Sequence, residues 1–253
     1  MSATYKFGFT IIETMLFLAV TGVLVVAILA GTGSSINIQR YHDSVSTLKS
    51  GLEQLYADVS SVRNEVRAAA VSCSPNAVID TSGATLQRGQ SDCTVLGRYL
   101  TIDKTAITVS TVIGNNPAAA PLYATDIKEL QAYKLSLLPT SSETSQLEWG
   151  AMIAWPTGGV DVKTPSTPRQ VSLLVLRSPT SGLTYTFSSN DVAMPLHDMI
   201  IAGDVVPGQG QQRLCIDSDG GFGGGLAVVI GAYASTSSSL QVRSNDMGDS
   251  STC

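Results

Sequence analysis

The sequence predicts an α+β fold, a long N-terminal helix packed on an antiparallel β-sheet globular domain. Three observations predict it. Residues 9–30 form an apolar run whose single charge is Glu13. From Tyr41 onward, apolar residues recur in alternating steps of four and three. Past residue 75 that spacing gives way to short apolar runs separated by Gly, Ser and Pro.

The first run is long enough to cross about 30 Å of hydrocarbon as a helix. A secretory signal peptide would have a shorter apolar core followed by a small-residue cleavage site. No clear site of that kind follows here. Lys6, in the short peptide before the span, keeps that end in the cytoplasm by the positive-inside tendency, and the long remainder is exported. Glu13 is the anomaly. A carboxylate at the bilayer centre costs roughly 2.5–3.5 kcal/mol, and less near an end. A plain explanation is that it snorkels to the headgroups. In the first turn it also suits the positive end of the helix dipole.

The stretch Gly31-Thr32-Gly33-Ser34-Ser35 reads in isolation as a loop, or as a softened part of one long helix. Beyond it, Tyr41, Val45, Leu48, Leu52, Leu55, Val59, Val62, Val66 and Ala69 form a heptad seam, with charged and polar residues on the other faces. The seam fits either a coiled coil with a partner chain or an amphipathic helix lying on a sheet of the same chain. The large β-rich region that follows needs a cover, which favours the sheet. Cys73-Ser74-Pro75 ends the helix. If both halves are helical, residues 9–72 span roughly 90 Å.

Past that point "TVLGRYLTID" and "KTAITVSTVIG" read as paired strands around a turn near Asp103-Lys104. "TDIKELQAYKLSLL" fits a short helix or a strand, and "EWGAMIAWP" a strand. Residues 157–169 read as a loop. "RQVSLLVLRS" and "GLTYTFSS" form a hairpin, and "QRLCIDSD", "GLAVVIGAY" and "SLQVRS" are three late strands.

Composition narrows the function. The 253 residues suffice for one large or two small domains with a core. Only 14% are charged and the net charge is −5. Phosphate binding needs clustered cations, so no nucleic acid is expected as a partner. Cys73, Cys93, Cys215 and Cys253 form no C-x-x-C pair, and only two histidines are present, which argues against zinc. An even count beside a membrane segment suggests two disulfides in an oxidising compartment. The pairing of Cys73 with Cys93 and Cys215 with Cys253 closes the shortest loops. Four buried free thiols are the alternative.

Asp217-Ser218-Asp219-Gly220 is similar to the start of a calcium loop, which makes Asp217 and Asp219 the metal candidates. Phe222 and Val228 stand where an EF-hand needs further ligands, so a plain β-turn is the simpler reading. His42 falls on the polar side of the helix. His197-Asp198 has no partnered nucleophile motif, and Gly220 to Gly225 lacks the Lys-Ser/Thr of a phosphate loop. Trp149 and Trp155, six apart in an expected strand, would share a face and serve as core or edge residues rather than a sugar-stacking platform. No catalytic residue, enzyme activity or cofactor is expected.

Gly8-Phe9 followed by Thr10-Ile11-Ile12-Glu13 resembles the processing site of type IV pilins and type II secretion pseudopilins. The match covers about 25 residues, in register with the apolar span. Thr14 departs from it, where a large apolar residue is usual. "RLCIDSDG" followed by "LAVVIG" resembles the closing hairpin of minor pilins and pseudopilins. The resemblance implies a leader over residues 1–8 and cleavage between Gly8 and Phe9 by the prepilin peptidase. It also implies N-methylation of Phe9, an assembly helix over 9–30, an amphipathic continuation over 31–72 and an exported domain over 73–253. Glu13, fifth after the cut, would pair with the Phe9 amine of a neighbouring subunit. The implied partners are other pilin subunits, with the cytoplasmic membrane as the site before assembly and a pilus or the cell surface afterwards. The chain's size leans towards a minor pilin or pseudopilin. Two other classes compete: a membrane-anchored adhesin or binding module, and an anchored exported protein with no assembly role.

Overall fold

The two N-terminal segments join in one helix, α1 (Ile11–Ser61). The computed structural model describes residues 10–61, 72–73, 79–80, 93–115, 123–155, 168–201, 204–205, 211–218, 225–231, 234–244 and 253. The loop alternative at residues 31–35 does not hold, because this stretch is helical. Flanked by helix on both sides, it needs only propagation and no new nucleus. Thr32 and Ser35 donate their hydroxyls back to the Leu29 and Gly31 carbonyls. Val62, Val66 and Ala69 of the seam lie outside the described residues. The helix expected to reach Ser72 does not, since a short strand β1 (Ser72–Cys73) pairs there with β2 (Ile79–Asp80).

Then come β3 (Thr94–Asp103) and β4 (Ala106–Asn115), a hairpin turning at Lys104, whose φ is 57°. "TDIKELQAYKLSLL" resolves into both of its readings: helix α2 (Asp126–Ala132), capped by the Thr125 side chain, then strand β5 (Lys134–Leu137). Strand β6 (Glu143–Gln146) was not foreseen. β7 (Ala151–Ala154), β8 (Gln170–Arg177) and β9 (Thr184–Ser189) follow. The short helix α3 (Leu196–Ile201) and β10 (Asp204–Val205) precede the late strands β11 (Gln212–Ser218), β12 (Leu226–Ile230) and β13 (Leu240–Ser244).

Beside the β1–β2 pair, the described residues of the expected β-domain form two larger antiparallel sheets. One runs β10-β9-β8-β3-β4, with β5 and β6 both pairing the far edge of β4. The other runs β13-β12-β11-β7. The seam of α1 packs on both. Tyr41, Val45, Leu48, Leu52, Leu55 and Val59 join Leu100, Ile102, Leu173, Ile153, Ile216 and Val228 in one apolar cluster. Each such Val or Leu contributes about 1.5–3 kcal/mol when buried, against about 0.5 kcal/mol for a helix-surface pair such as Lys49–Glu53. Apolar packing therefore decides where the helix lies. The seam is satisfied within the chain, and the coiled-coil alternative fails over the described residues.

α2 and α3 cover the other face of the larger sheet. Leu130, Met199 and Ile200 pack there with Leu174, Leu176 and Phe187. Strand β8 is thus buried on both faces, which explains why Leu173 to Leu176 are apolar without alternation. β3 carries a bulge between Val95 and Gly97 in its pairing with β4, and on its other side Gly97 lies close against the β8 backbone, opposite Leu176. A Cβ at Gly97 would stand 1.9 Å from the Val175 carbonyl oxygen.

Two predictions follow from this core. Gly97→Ala forces the two backbones apart and costs about 3 kcal/mol, read as a lower midpoint in urea unfolding. The Tyr56 hydroxyl, buried and hydrogen-bonded to Thr186 at 2.8 Å, is pushed up to about 12 by burial. Its folded pKa lies above the unfolded value near 10. Its contribution is therefore complete below pH 10 and is lost as pH rises towards 12. Stability measured across that window falls with pH, and Tyr56→Phe flattens the fall.

Candidate assembly helix and its junction with the globular domain

The site begins at Thr10. Its hydroxyl accepts from the Glu13 amide at 3.3 Å, and its carbonyl accepts from the Thr14 amide at 3.2 Å. Thr-x-x-Glu is the spacing of a capping box, and Glu13 lies in the first turn. The acid therefore meets the positive end of the helix dipole. Thr14, the departure from the family pattern, donates its hydroxyl to the Ile11 carbonyl at 2.9 Å. Thr21 does the same towards Phe17 and Leu18. These back-bonds give each hydroxyl a partner inside its own helix, as lipid requires. Gly8 and Phe9 lie outside the described residues.

Between Ile11 and Leu29 every large apolar side chain is 51–78% exposed. No part of the most apolar stretch is covered by the other described residues. This single helix is long and apolar enough to cross a membrane. A solvated apolar surface on this scale marks a face made for lipid or for other protein.

Burial begins abruptly at Tyr41. Its hydroxyl donates to the Ile216 carbonyl at 2.9 Å and accepts from the Leu226 amide at 2.7 Å. One side chain thus ties α1 to the paired strands β11 and β12. Burial pushes the Tyr41 hydroxyl above its ordinary range. Ser44, fully buried, donates to the Glu148 carbonyl at 2.8 Å. Further along, Arg98 lies 3.7 Å from Asp58, and Arg177 donates to the Ser60 carbonyl at 3.0 Å.

The two tryptophans do not share a strand face, contrary to the sequence expectation. Glu148–Gly150 form a 3-10 turn, in which Trp149 takes φ 60° and Gly150 φ 71°. The strand starts only at Ala151 and stops before Trp155. Each indole instead stacks on a guanidinium: Arg40 lies 4.5 Å from the Trp149 ring centre, and Arg169 lies 4.5 Å from that of Trp155. Arg169 is buried, and its donors reach the Asn190 side chain and the Arg213 carbonyl. Burial lowers its pKa.

Spacing gave no sign of these stacked pairs, because their members are distant in sequence. It also missed Glu129, a buried carboxylate on α2 that accepts from Ser178 and Thr180 in the loop between β8 and β9. Beside it, hydrogen bonds from Ser181 and Tyr185 hold the Asp126 carboxyl below the usual carboxylate range. An acid in the first turn of α2 was the only hint.

Cys215 and Cys253 are joined in a disulfide, which staples the C-terminus to β11. Cys93 is also disulfide-bonded, while the side chain of Cys73, its expected partner, lies outside the described residues. Asp217 and Ser218 belong to β11, opposite Met152 and Ala151, rather than to a turn. Asp219 lies outside the described residues. His42 is exposed on α1, edge-on to Tyr41, and His197 sits in α3.

The architecture is pilin-like: an apolar N-terminal helix, its second half packed on antiparallel sheet, with a disulfide at the C-terminus. No protein-family model matches the chain, and no curated protein or solved structure matches it. Tyr41→Phe removes the partner of the Leu226 amide and costs about 1–3 kcal/mol, measurable by urea unfolding of the full chain in detergent.

Proposed function

We propose that this chain is a structural subunit of a type IV pilus or type II secretion-type filament, cleaved after Gly8 and assembled through its N-terminal helix. The observation that carries this reading is the division of α1. Its second half completes the core of the globular domain, and its first half has no cover among the described residues. Lipid covers that half before assembly, and neighbouring copies cover it afterwards. The role is packing, and the covalent chemistry is done to the chain by the peptidase.

Glu13 gives the greasy bundle its register. Cleavage would leave a cationic amine on Phe9, one helical turn from Glu13. In a filament, Glu13 of an incoming subunit neutralises that amine on the subunit already in place. A mismatched register would leave both charges buried and unpaired. Breaking such a pair costs about 3–5 kcal/mol.

Glu13→Ala therefore spares membrane insertion and abolishes filament incorporation, read by membrane fractionation beside the sheared filament fraction. Mass spectrometry of assembled protein finds chains beginning at a methylated Phe9. Assembled chains that still begin at Met1 would contradict the reading, as would normal incorporation of the Glu13 variant.

A further inference from the structure

One feature of the junction is unexplained by filament packing or by the core. Trp149 is a bulky residue in the left-handed region, 55% exposed, at a place where glycine or asparagine would fit the backbone without strain. Such a conformation costs about 1 kcal/mol or more and persists only where the surroundings enforce it. Here the Ser44 hydroxyl pins the turn to α1 through the Glu148 carbonyl, and the Arg40 guanidinium lies over the indole. The ring is thereby held out at the level where α1 leaves the globular domain.

That level has a meaning along the helix. No charged residue occurs between Glu13 and Arg40. The rise from one to the other is about 40 Å. A bilayer including its headgroups is about 40–45 Å thick. With Glu13 at one interface, Arg40 and the indole stacked on it stand at the other. Tryptophan favours that zone, where its ring meets acyl chains and its N–H meets water. Among the described residues no carboxylate pairs with Arg40, so its guanidinium is available to a lipid phosphate. Asp43, three residues further along α1, and Glu148, next to Trp149 in sequence, are also exposed, which suits a zwitterionic headgroup carrying an ammonium.

We propose that Trp149 and Arg40 form an interfacial anchor that seats the globular domain on phospholipid headgroups at the exported face of the membrane. This rests on the membrane-inserted state described under the proposed function. The anchor fixes the height and tilt at which an unassembled subunit waits.

The test uses the full chain in vesicles of phosphatidylethanolamine mixed with brominated phosphatidylcholine. Trp155→Phe leaves Trp149 as the only indole, and subtracting the Trp149→Phe signal from that of the unmodified chain gives the same quantity independently. The expected result is a blue-shifted Trp149 emission, quenched more by bromine near the carbonyl end of the acyl chain than by bromine near the methyl end. In Arg40→Gln that shallow quenching falls. Co-flotation with vesicles while Trp149 stays unquenched by bromine and open to acrylamide overturns the anchor alone. Protection from acrylamide without bromine quenching places the ring against another copy and also overturns it. Failure to co-float overturns the membrane reading and the anchor with it.

Discussion

The packing of one helical stripe, Tyr41 to Val59, against two sheets at once is the contact on which the rest of the structure depends. Neither sheet alone closes the apolar cluster. Leu100, Ile102 and Leu173 come from the larger sheet, Ile153, Ile216 and Val228 from the smaller, and the helix lies where both meet. Backbone bonds from Ile153 and Leu147 to the β3–β4 turn join the two sheets beneath it. Because the stripe from Tyr41 to Val59 is buried inside the chain, the helix before it can remain uncovered without unfolding the domain.

Polar ties then fix how the helix is set on that core. Apolar packing alone tolerates rotation and sliding, whereas hydrogen bonds at a few points do not. Tyr41 engages Ile216 and Leu226, Ser44 engages Glu148, and Tyr56 engages Thr186, whose hydroxyl continues to the Ala234 carbonyl. These bonds lie along the length of the seam. A helix held this way carries any contact made by its exposed half to the globular domain as a fixed displacement. In the proposed filament, a register set by Glu13 would pass in this way to the surface of the domain.

Much of this was legible in the residues. The four-and-three spacing found the buried stripe, because side chains on one helix face must share a neighbour. The strand β8 was legible as one arm of a hairpin, and its burial on both faces came only with the structure. Other features were hidden for physical reasons. Ser44 and Tyr56 are buried beside the stripe although the heptad spacing omits them. Two sheets enclose a wider arc of the helix than one partner would. Gly31 to Ser35 spells a loop locally, yet its backbone bonds are cheapest within a helix already formed on either side. Trp149 looked like a strand residue, because a left-handed turn needs tertiary contacts that adjacent residues do not reveal. The helix α3 is too short for periodicity to show. For the proposed assembly site, Glu13 and its apolar surroundings stood out in the sequence alone. Arg40 and Trp149 became a pair only in three dimensions.

The two halves of α1 differ in their cover: the chain's own sheets enclose one, and no other described residue encloses the other. Sedimentation and thermal unfolding of a chain that begins at Ser35 test it most directly. The account predicts a soluble monomer whose unfolding midpoint matches that of the full chain in detergent. A truncated chain that unfolds, or that associates through an exposed seam, would show that the stripe from Tyr41 to Val59 needs cover from elsewhere, and would contradict the account.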